Sequence, residues 1–152
     1  MLNKKILKVF FDCRKDSEAL HKGLNTCVEN VLDIQGMHML LKQWKSENKN
    51  ENTILTPGLN KPLEEYKASH GINEYKEEMK KIFLEEHGSY RKRPLSLMFI
   101  RYAAKDVEDL VEVKDKILAE LNSIFKDNIG IKLAEVISKE YLKHGCMAVL
   151  NT

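Results

Sequence analysis

Apolar and polar stretches alternate along the first 45 residues in a way that predicts two strands separated by a helix. Residues 8–13 and 30–34 are short, apolar and rich in β-forming side chains, so each is predicted to be a buried strand. Residues 17–24 are predicted to form the intervening helix, with Asp16 or Ser17 as its N-cap. Two strands joined through a helix run parallel, which places the chain in the α/β class.

Helical periodicity then dominates the rest of the chain. Residues 37, 40, 41 and 44 recur on one helical face, which predicts an amphipathic helix with Trp44 in the core. Residues 45–60 are predicted to be a polar surface loop, followed by a helix with Pro62 at its first position and Gly71 as its stop. Asn73 is predicted to cap a charged helix that ends near residue 88. One long helix is expected from residue 96 to 121, and a last helix over 131–143 with an apolar tail to residue 150.

The amino-acid composition is that of one globular domain, but it does not indicate a function. The 152 residues are 43% hydrophobic, enough for one domain spanning residues 1–152. A formal net charge of +2 does not by itself indicate a nucleic-acid partner, and no apolar stretch is long enough for a membrane span. Cys13, Cys27 and Cys146 lack metal-ligand spacing and are odd in number, so buried free thiols in a reducing intracellular compartment are expected (cytoplasm, nucleus and mitochondrion are not distinguished).

Two short motifs carry the candidate chemistry. Residues 12–17 read Asp-Cys-Arg-Lys-Asp-Ser and begin at the end of the first predicted strand. Tyr102 and Asp106 lie four residues apart in a predicted helix, which places both on one face, and Arg-Pro-Leu stands upstream at residues 93–95. With residues 31–35, these motifs resemble the DEDD, or DnaQ-like, 3′–5′ exonuclease domains, in particular the Egalitarian branch.

The resemblance implies a ribonuclease H-like fold and a site in which four carboxylates hold two divalent ions, Mg²⁺ or Mn²⁺. By this analogy Asp16 would contact one ion, Asp106 would bind the other, and Tyr102 would orient the attacking water. Phe11 stands where relatives often carry histidine, and Asp33 lies near the site without binding metal. Arg91, Lys92 and Arg93 would be the remnant of a phosphate-contacting patch.

The first motif of that family, Asp-x-Glu on a strand, has no counterpart among the seven residues before Lys8. The Asp-x-Glu string at residues 106–108 cannot replace it, because i and i+2 point in different directions on a helix. The expectation is therefore an N-terminally truncated exonuclease-like domain with a short parallel strand pair, several helices and an incomplete metal cage. Such a chain would need no cofactor.

Three functions follow as hypotheses. The first is a catalytically inactive structural subunit whose exposed strand edge is buried against other proteins of a larger assembly. The second is a metal-dependent 3′–5′ exonuclease, active or split, in which another chain completes the site around Asp16, Tyr102 and Asp106. The third is a nucleic-acid-binding module without catalysis that uses Arg91, Lys92 and Arg93.

Overall fold

The computed structural model of the chain describes residues 3–46 and 56–150, with side chains described as far as residue 143. Most of the predicted polar loop at residues 45–60 lies outside these ranges. In chain order the elements are β1 (Lys8–Phe10), α1 (Arg14–Leu24), β2 (Val31–Asp33), α2 (Ile34–Lys45), α3 (Asn60–Glu65), α4 (Lys76–Glu85), a 3₁₀ turn (Ser89–Arg91), α5 (Leu97–Lys105), α6 (Leu110–Ile124) and α7 (Ile129–Leu150).

The two strands pair in parallel, as the sequence predicts, with Val9 opposite Leu32. Side chains alternate between the two faces of a strand. Val9 and Leu32 accordingly contact the larger core cluster, whereas Phe10 and Val31 contact a smaller cluster on the other face. Apolar packing on both faces explains why the two strands read as nearly continuous apolar runs.

The N-terminus of α1 is held by Asp33, not by Asp16 or Ser17, so the predicted cap was wrong. Asp33 is fully buried, and its carboxylate accepts hydrogen bonds from the backbone nitrogens of Asp12 at 3.3 Å and Cys13 at 2.7 Å. The helix begins at Arg14, earlier than predicted, which places Asp16 in its first turn and buries Ser17 in its interior. A carboxylate from the neighbouring strand end therefore replaces a local cap.

Asp33 also begins α2. Its side chain accepts a hydrogen bond from the backbone nitrogen of Gly36 at 3.1 Å, and its own backbone nitrogen donates to the buried Ser138 hydroxyl of α7 at 2.8 Å. Burial raises the pKa of Asp33, and its hydrogen bonds from the backbone nitrogens of Cys13 and Gly36 oppose that rise. One residue thus ties together the ends of both strands and two helix starts through its side chain, and α7 through its backbone nitrogen.

The predicted amphipathic face of α2 is present, but Trp44 is not part of the core. Met37 and Leu41 are fully buried, whereas Trp44 is 55% exposed. Trp44 lies in the last turn of α2, and its ring contacts the Phe125 ring edge-on, with 4.7 Å between the ring centroids. Because Phe125 is itself only partly buried at the end of α6, this contact leaves much of the indole in solvent.

The helices α3 and α4 begin and end differently from the prediction. Pro62 is the third residue of α3, and that helix ends at Glu65, well before Gly71. Tyr75, not Asn73, occupies the N-cap position of α4. The Asn73 side chain does accept a hydrogen bond from the backbone nitrogen of Tyr75 at 3.1 Å, but its amide nitrogen points to the end of α5.

The long helix predicted from residue 96 is broken into α5 and α6. Ser96 caps α5, and its hydroxyl accepts from the backbone nitrogen of Phe99. The chain turns between residues 106 and 109, and Val107 on the predicted apolar face is 60% exposed. Apolar spacing continued across this turn, so periodicity alone could not reveal the break.

The last helix is longer than predicted, because α7 runs from Ile129 to Leu150 and includes the predicted tail. It packs against α1, β2, α6 and α2. Gly36 permits the close approach to α2, since a Cβ there would lie 2.3 Å from an Ile137 methyl carbon. No helix in the described residues is both long and apolar enough to cross a membrane.

The thiols correspond only in part to the predicted buried set. Cys13 is buried, and burial raises its pKa. Cys27 is exposed, so the prediction was wrong for this residue, because it lies in the open connection between α1 and β2. The Cys146 side chain lies outside the described residues.

The segment between α3 and α4 is fastened to the turn between α5 and α6. The backbone nitrogen and Nδ1 of His70 contact the two carboxylate oxygens of Asp109 at 3.0 and 2.7 Å. The Lys105 ammonium donates to the His70 carbonyl at 2.7 Å. The hydrogen bond to Asp109, followed by the charges of Asp109 and Glu108, raises the pKa of His70, against an opposing effect of Lys105.

We predict that Asp33→Ala lowers the free energy of unfolding by roughly 2–4 kcal/mol, because it leaves two buried backbone N–H groups without an acceptor. Urea denaturation followed by circular dichroism measures the change. The matched control is Asp16→Ala, which removes the acid predicted from sequence to be the cap. This control should change stability by no more than about 0.5 kcal/mol. Equal losses in the two variants would contradict the role of Asp33.

We also predict that the contact between His70 and Asp109 stabilises the fold mainly at low pH. A histidine whose folded pKa is raised contributes stability that is present below its ordinary value of about 6.5 and is lost as the pH rises through the folded pKa. The melting temperature of His70→Gln should therefore fall below that of the wild type at pH 5.5 and approach it at pH 9. A constant difference across this range would show that charge plays no part.

Candidate active site

Three carboxylates converge on one pocket at the carboxyl ends of β1 and β2. The pocket has a volume of about 720 Å³, and Asp12, Asp16 and Asp106 all line it. Parallel sheets commonly place ligand sites outside the carboxyl ends of their strands. The structure therefore brings Asp16 and Asp106, ninety residues apart in the sequence, to one place.

Asp12 follows β1 in a left-handed backbone conformation with φ of 59°. Its carboxylate accepts two hydrogen bonds from the Arg14 guanidinium, at 2.5 and 2.9 Å. Arg14 also donates to the Gln35 side chain at 3.3 Å, and Gln35 donates to the Pro57 carbonyl at 3.1 Å. The hydrogen bond from Arg14 holds the pKa of Asp12 below its usual range, so this carboxylate is ionised but already paired.

Asp16 lies in the first turn of α1 and forms no ion pair within the described part of the chain. Partial burial, followed by the charges of Asp12 and Asp33, raises its pKa. Asp16 is therefore the acid of this pocket that an added cation could stabilise most directly.

Asp106 is the C-cap residue of α5, and two side chains from outside that helix hold its carboxylate. The Lys76 ammonium of α4 lies 2.9 Å from Oδ1, and the Asn73 amide donates to the same oxygen at 2.8 Å. Asn73 also donates to the Tyr102 carbonyl at 3.1 Å. Asn73 is only 1% exposed, so it positions Asp106 from inside the fold.

Sequence reasoning missed the contribution of both partners of Asp106. Lys76 is one lysine in a charged helix, and Asn73 resembles an ordinary helix cap. They lie some thirty residues before Asp106, and only the packing of α4 near α5 brings the three together. No local signal in the sequence distinguishes them from their neighbours.

Tyr102 lies one turn before Asp106 and is half-buried. Burial, followed by the charge of Asp106 and a hydrogen bond to it, raises the pKa of Tyr102 to about 12. Its ring contacts Phe83 of α4 edge-on, with 6.2 Å between the ring centroids. Tyr102 does not line the pocket itself.

The basic residues predicted to contact phosphate lie elsewhere. Arg91 ends the 3₁₀ turn, and Lys92 and Arg93 follow it, all exposed and outside the pocket lining. The Lys92 ammonium pairs with Glu86 at 2.6 Å, and the Arg93 guanidinium donates to the Tyr90 carbonyl at 2.8 Å.

The pocket offers too few unpaired carboxylates to bind two divalent ions. Carboxylate oxygens are the right kind of ligand for Mg²⁺ or Mn²⁺. Among the described residues, however, Arg14 and Lys76 already neutralise two of the three lining carboxylates. The residues present therefore do not fit a two-metal site by themselves.

A second group of ligand-type side chains has a structural role. His70, Glu108 and Asp109 place donor atoms within 4.8 Å of one another. His70 and Asp109 bond to each other, and Lys105 pairs with Glu108 at 2.9 Å. These contacts hold the segment before α4 in place. Both carboxylates of this group are therefore already paired with a basic side chain.

Comparison with known proteins identifies the fold and the family. The chain superposes on RNase D from Trypanosoma brucei, solved in complex with GMP, with a TM-score of 0.69 and 25% sequence identity. The match covers 95% of this chain but only 41% of that protein, so the chain spans less than half the length of its relative. This likeness confirms the predicted α/β class and the ribonuclease H-like exonuclease fold with a short parallel strand pair.

A search of curated proteins finds no match. The sequence model of the 3′–5′ exonuclease family matches residues 1–122, which is most of the chain and includes β1 to α5 and most of α6. The chain therefore belongs to the 3′–5′ exonuclease family.

Proposed function

We propose that this chain is a catalytically inactive exonuclease-like domain that serves as a structural or interaction subunit of a larger protein assembly. Within the family, the Asp-Cys-Arg-Lys-Asp-Ser sequence at residues 12–17 supports a place in the Egalitarian branch. One observation carries the proposal: cations of the same chain hold two of the three carboxylates around the pocket, Asp12 and Asp106.

Electrostatics supports inactivity. A unit positive charge 4 Å from an ammonium is repelled by about 4 kcal/mol at the effective dielectric typical near a protein surface, and a divalent cation by roughly twice as much. A metal ion at Asp106 would meet this repulsion from Lys76 unless the lysine moved away. Catalysis of phosphodiester cleavage in this family requires metal charge near the leaving oxygen, and the two cations that line the pocket, Arg14 and Lys76, are already paired with Asp12 and Asp106.

Exposed apolar side chains support a protein partner. Leu97 and Ile100 of α5, Val107 of the turn after it and Val111 of α6 are each 51–61% exposed. Exposed apolar side chains close together in the chain, on α5, the turn after it and the start of α6, are typical of a surface that another protein covers. In the described residues β1 pairs only with β2, so its other edge also has backbone groups available to an added strand.

A second candidate function is a split 3′–5′ exonuclease. It is favoured by the convergence of Asp16 and Asp106 on one pocket and by the position of Tyr102 one helical turn before Asp106. In this case another chain or segment would bring an Asp-x-Glu strand to the site. Asp16 and Asp106 would then share in holding Mg²⁺ or Mn²⁺, which supplies the charge that the described residues lack.

We predict that the chain binds Mn²⁺ with a dissociation constant on the order of 1 mM or weaker, as measured by electron paramagnetic resonance of free Mn²⁺. Lys76→Met should tighten binding about fivefold, because it frees Asp106 from an ion pair worth roughly 1 kcal/mol. Lys80→Met, an exposed lysine of the same helix, is the matched control and should leave the affinity unchanged. Equal affinity of Lys76→Met and the wild type would argue against Lys76 as the competing cation.

We further predict that the chain does not shorten a 5′-labelled single-stranded oligonucleotide in the presence of Mn²⁺. Gel electrophoresis of the reaction over several hours measures this. Metal-dependent loss of 3′ nucleotides that Asp106→Asn abolishes would contradict inactivity and support the split-nuclease candidate. Loss that survives Asp106→Asn would instead indicate a contaminating nuclease.

A further inference from the structure

An apolar groove lies between β2 and α7. It has a volume of about 530 Å³ and is lined by residues 28–32 around β2, by Leu7 before β1, and by Ile131, Glu135, Lys139 and Leu142 of α7. The four positions on α7 are three or four residues apart, so they follow one face of the helix. We refer to this space as the edge groove. It shares no lining residue with the acidic pocket.

The outer edge of β2 faces α7. Lys8 lies opposite Val31, and its backbone nitrogen donates to the Asn30 carbonyl at 2.9 Å. Because successive residues of a strand direct their backbone groups to opposite edges in turn, this register turns the N–H and C=O of Val31 away from β1. The N–H of Asp33 points the same way, and it donates to the Ser138 hydroxyl of α7 at 2.8 Å. The N–H and C=O of Val31 are therefore directed to the side on which α7 and the edge groove lie.

The backbone groups of Val31 have no partner within the described part of the chain. Val31 is only 7% exposed, and no described residue is hydrogen-bonded to its N–H or its C=O. Buried backbone groups in proteins are almost always paired. An adjacent extended chain offers a carbonyl and an N–H together, since one residue of an antiparallel pair exchanges both hydrogen bonds. The edge of β2 therefore fits the backbone of an added peptide segment.

Two charged side chains of the edge groove are available to a ligand. Glu135 and Lys139 form no ion pair with any described residue, whereas Glu29, the third charged lining residue, pairs with Lys4 at 2.9 Å. Residues four apart on a helix are separated by about 6 Å along its axis, and alternate residues of a strand by about 6.7 Å. An extended segment with a basic and an acidic side chain two positions apart would therefore match the two charges on α7.

We propose that the edge groove binds an extended segment of a protein partner. The segment adds to the outer edge of β2, bonds to the backbone of Val31, and brings a basic side chain to Glu135 and an acidic one to Lys139. The apolar lining, which includes Ile131 and Leu142, receives apolar side chains of the segment. This inference rests on the proposed function in one respect, that the partner is a protein. Its surface is separate from the exposed residues of α5 and from the outer edge of β1.

A fatty acid and a second copy of this chain match the edge groove less well. The carboxylate of a fatty acid could accept from the Val31 N–H and pair with Lys139, but it would leave the Val31 carbonyl without a donor and Glu135 without a cation. A second copy would have to bring its own α7 with its β2 edge. Since β2 has only three residues and α7 packs beside it, a single extended segment suits this space better.

The test titrates the isotope-labelled 152-residue chain with two capped pentapeptides, Thr-Lys-Val-Glu-Thr and Thr-Glu-Val-Lys-Thr, followed by NMR. The wild type should bind one peptide about fivefold more tightly than the other, with a saturable shift of the Val31 amide resonance. The double variant Glu135→Lys, Lys139→Glu should reverse this preference. N-methylation of the central valine of the peptide removes the donor to the Val31 carbonyl and should weaken binding about 2- to 13-fold.

Two variants of α7 separate the edge groove from general surface effects. Ile131→Ser removes an apolar lining side chain and should weaken binding of the preferred peptide about fivefold. Val136→Ser changes an exposed apolar residue of the same helix that lies outside the lining, and it should bind like the wild type. Circular dichroism checks that both variants remain folded.

The proposal is overturned if neither peptide shifts the Val31 amide resonance, if the double variant keeps the wild-type preference, or if Val136→Ser loses as much affinity as Ile131→Ser. It is also overturned if sodium decanoate shifts this resonance at a lower concentration than either peptide, or if the free chain forms a dimer that Ile131→Ser disrupts. Each of these failures leaves the proposed function standing. That function is contradicted instead if the endogenous protein migrates as a single chain, whatever the peptides do.

Discussion

The structure depends above all on one buried carboxylate, that of Asp33. Its oxygens accept hydrogen bonds from the backbone N–H groups of Cys13 and Gly36, which fixes where α1 and α2 begin. Its backbone nitrogen bonds to Ser138 and ties α7 to the same point. A buried charge is costly unless hydrogen bonds compensate it. Here the compensating hydrogen bonds come from the backbone at the starts of two helices. They hold the carboxyl ends of both strands side by side, next to Asp12 and Asp16.

This alignment of the strand ends shapes the acidic pocket, but basic side chains of the same chain balance the charge of its carboxylates. Arg14 and Lys76 occupy positions next to Asp12 and Asp106 where a metal-dependent enzyme would need excess negative charge. Asn73 fixes Asp106 from the buried side and leaves it little freedom to reorient. Family membership and acid placement are thus compatible with the proposed function, under which the exposed apolar residues of α5 would be part of the surface that contacts a partner.

Local sequence patterns predicted much of the fold, but few of the interactions between residues that are distant in the sequence. Both strands, their parallel pairing and the buried face of α2 follow from periodicity, because burial on a strand or helix repeats at a fixed spacing. The cap of α1 was misassigned because its acceptor, Asp33, lies twenty residues away. The break between α5 and α6 was hidden because Val107 keeps the apolar spacing while being exposed. The pairing of Lys76 with Asp106 depends on tertiary packing, for which single residues carry no signal.

The most direct test of the interaction-subunit account is the native mass of the endogenous protein in a gentle extract, with the co-purifying chains identified by mass spectrometry. The account predicts a defined complex much larger than the 17.6 kDa of one chain, without a partner that carries an exonuclease Asp-x-Glu strand. Migration as a single 17.6 kDa species would contradict it. Migration with one partner bearing that motif would contradict it as well, and would support the split nuclease.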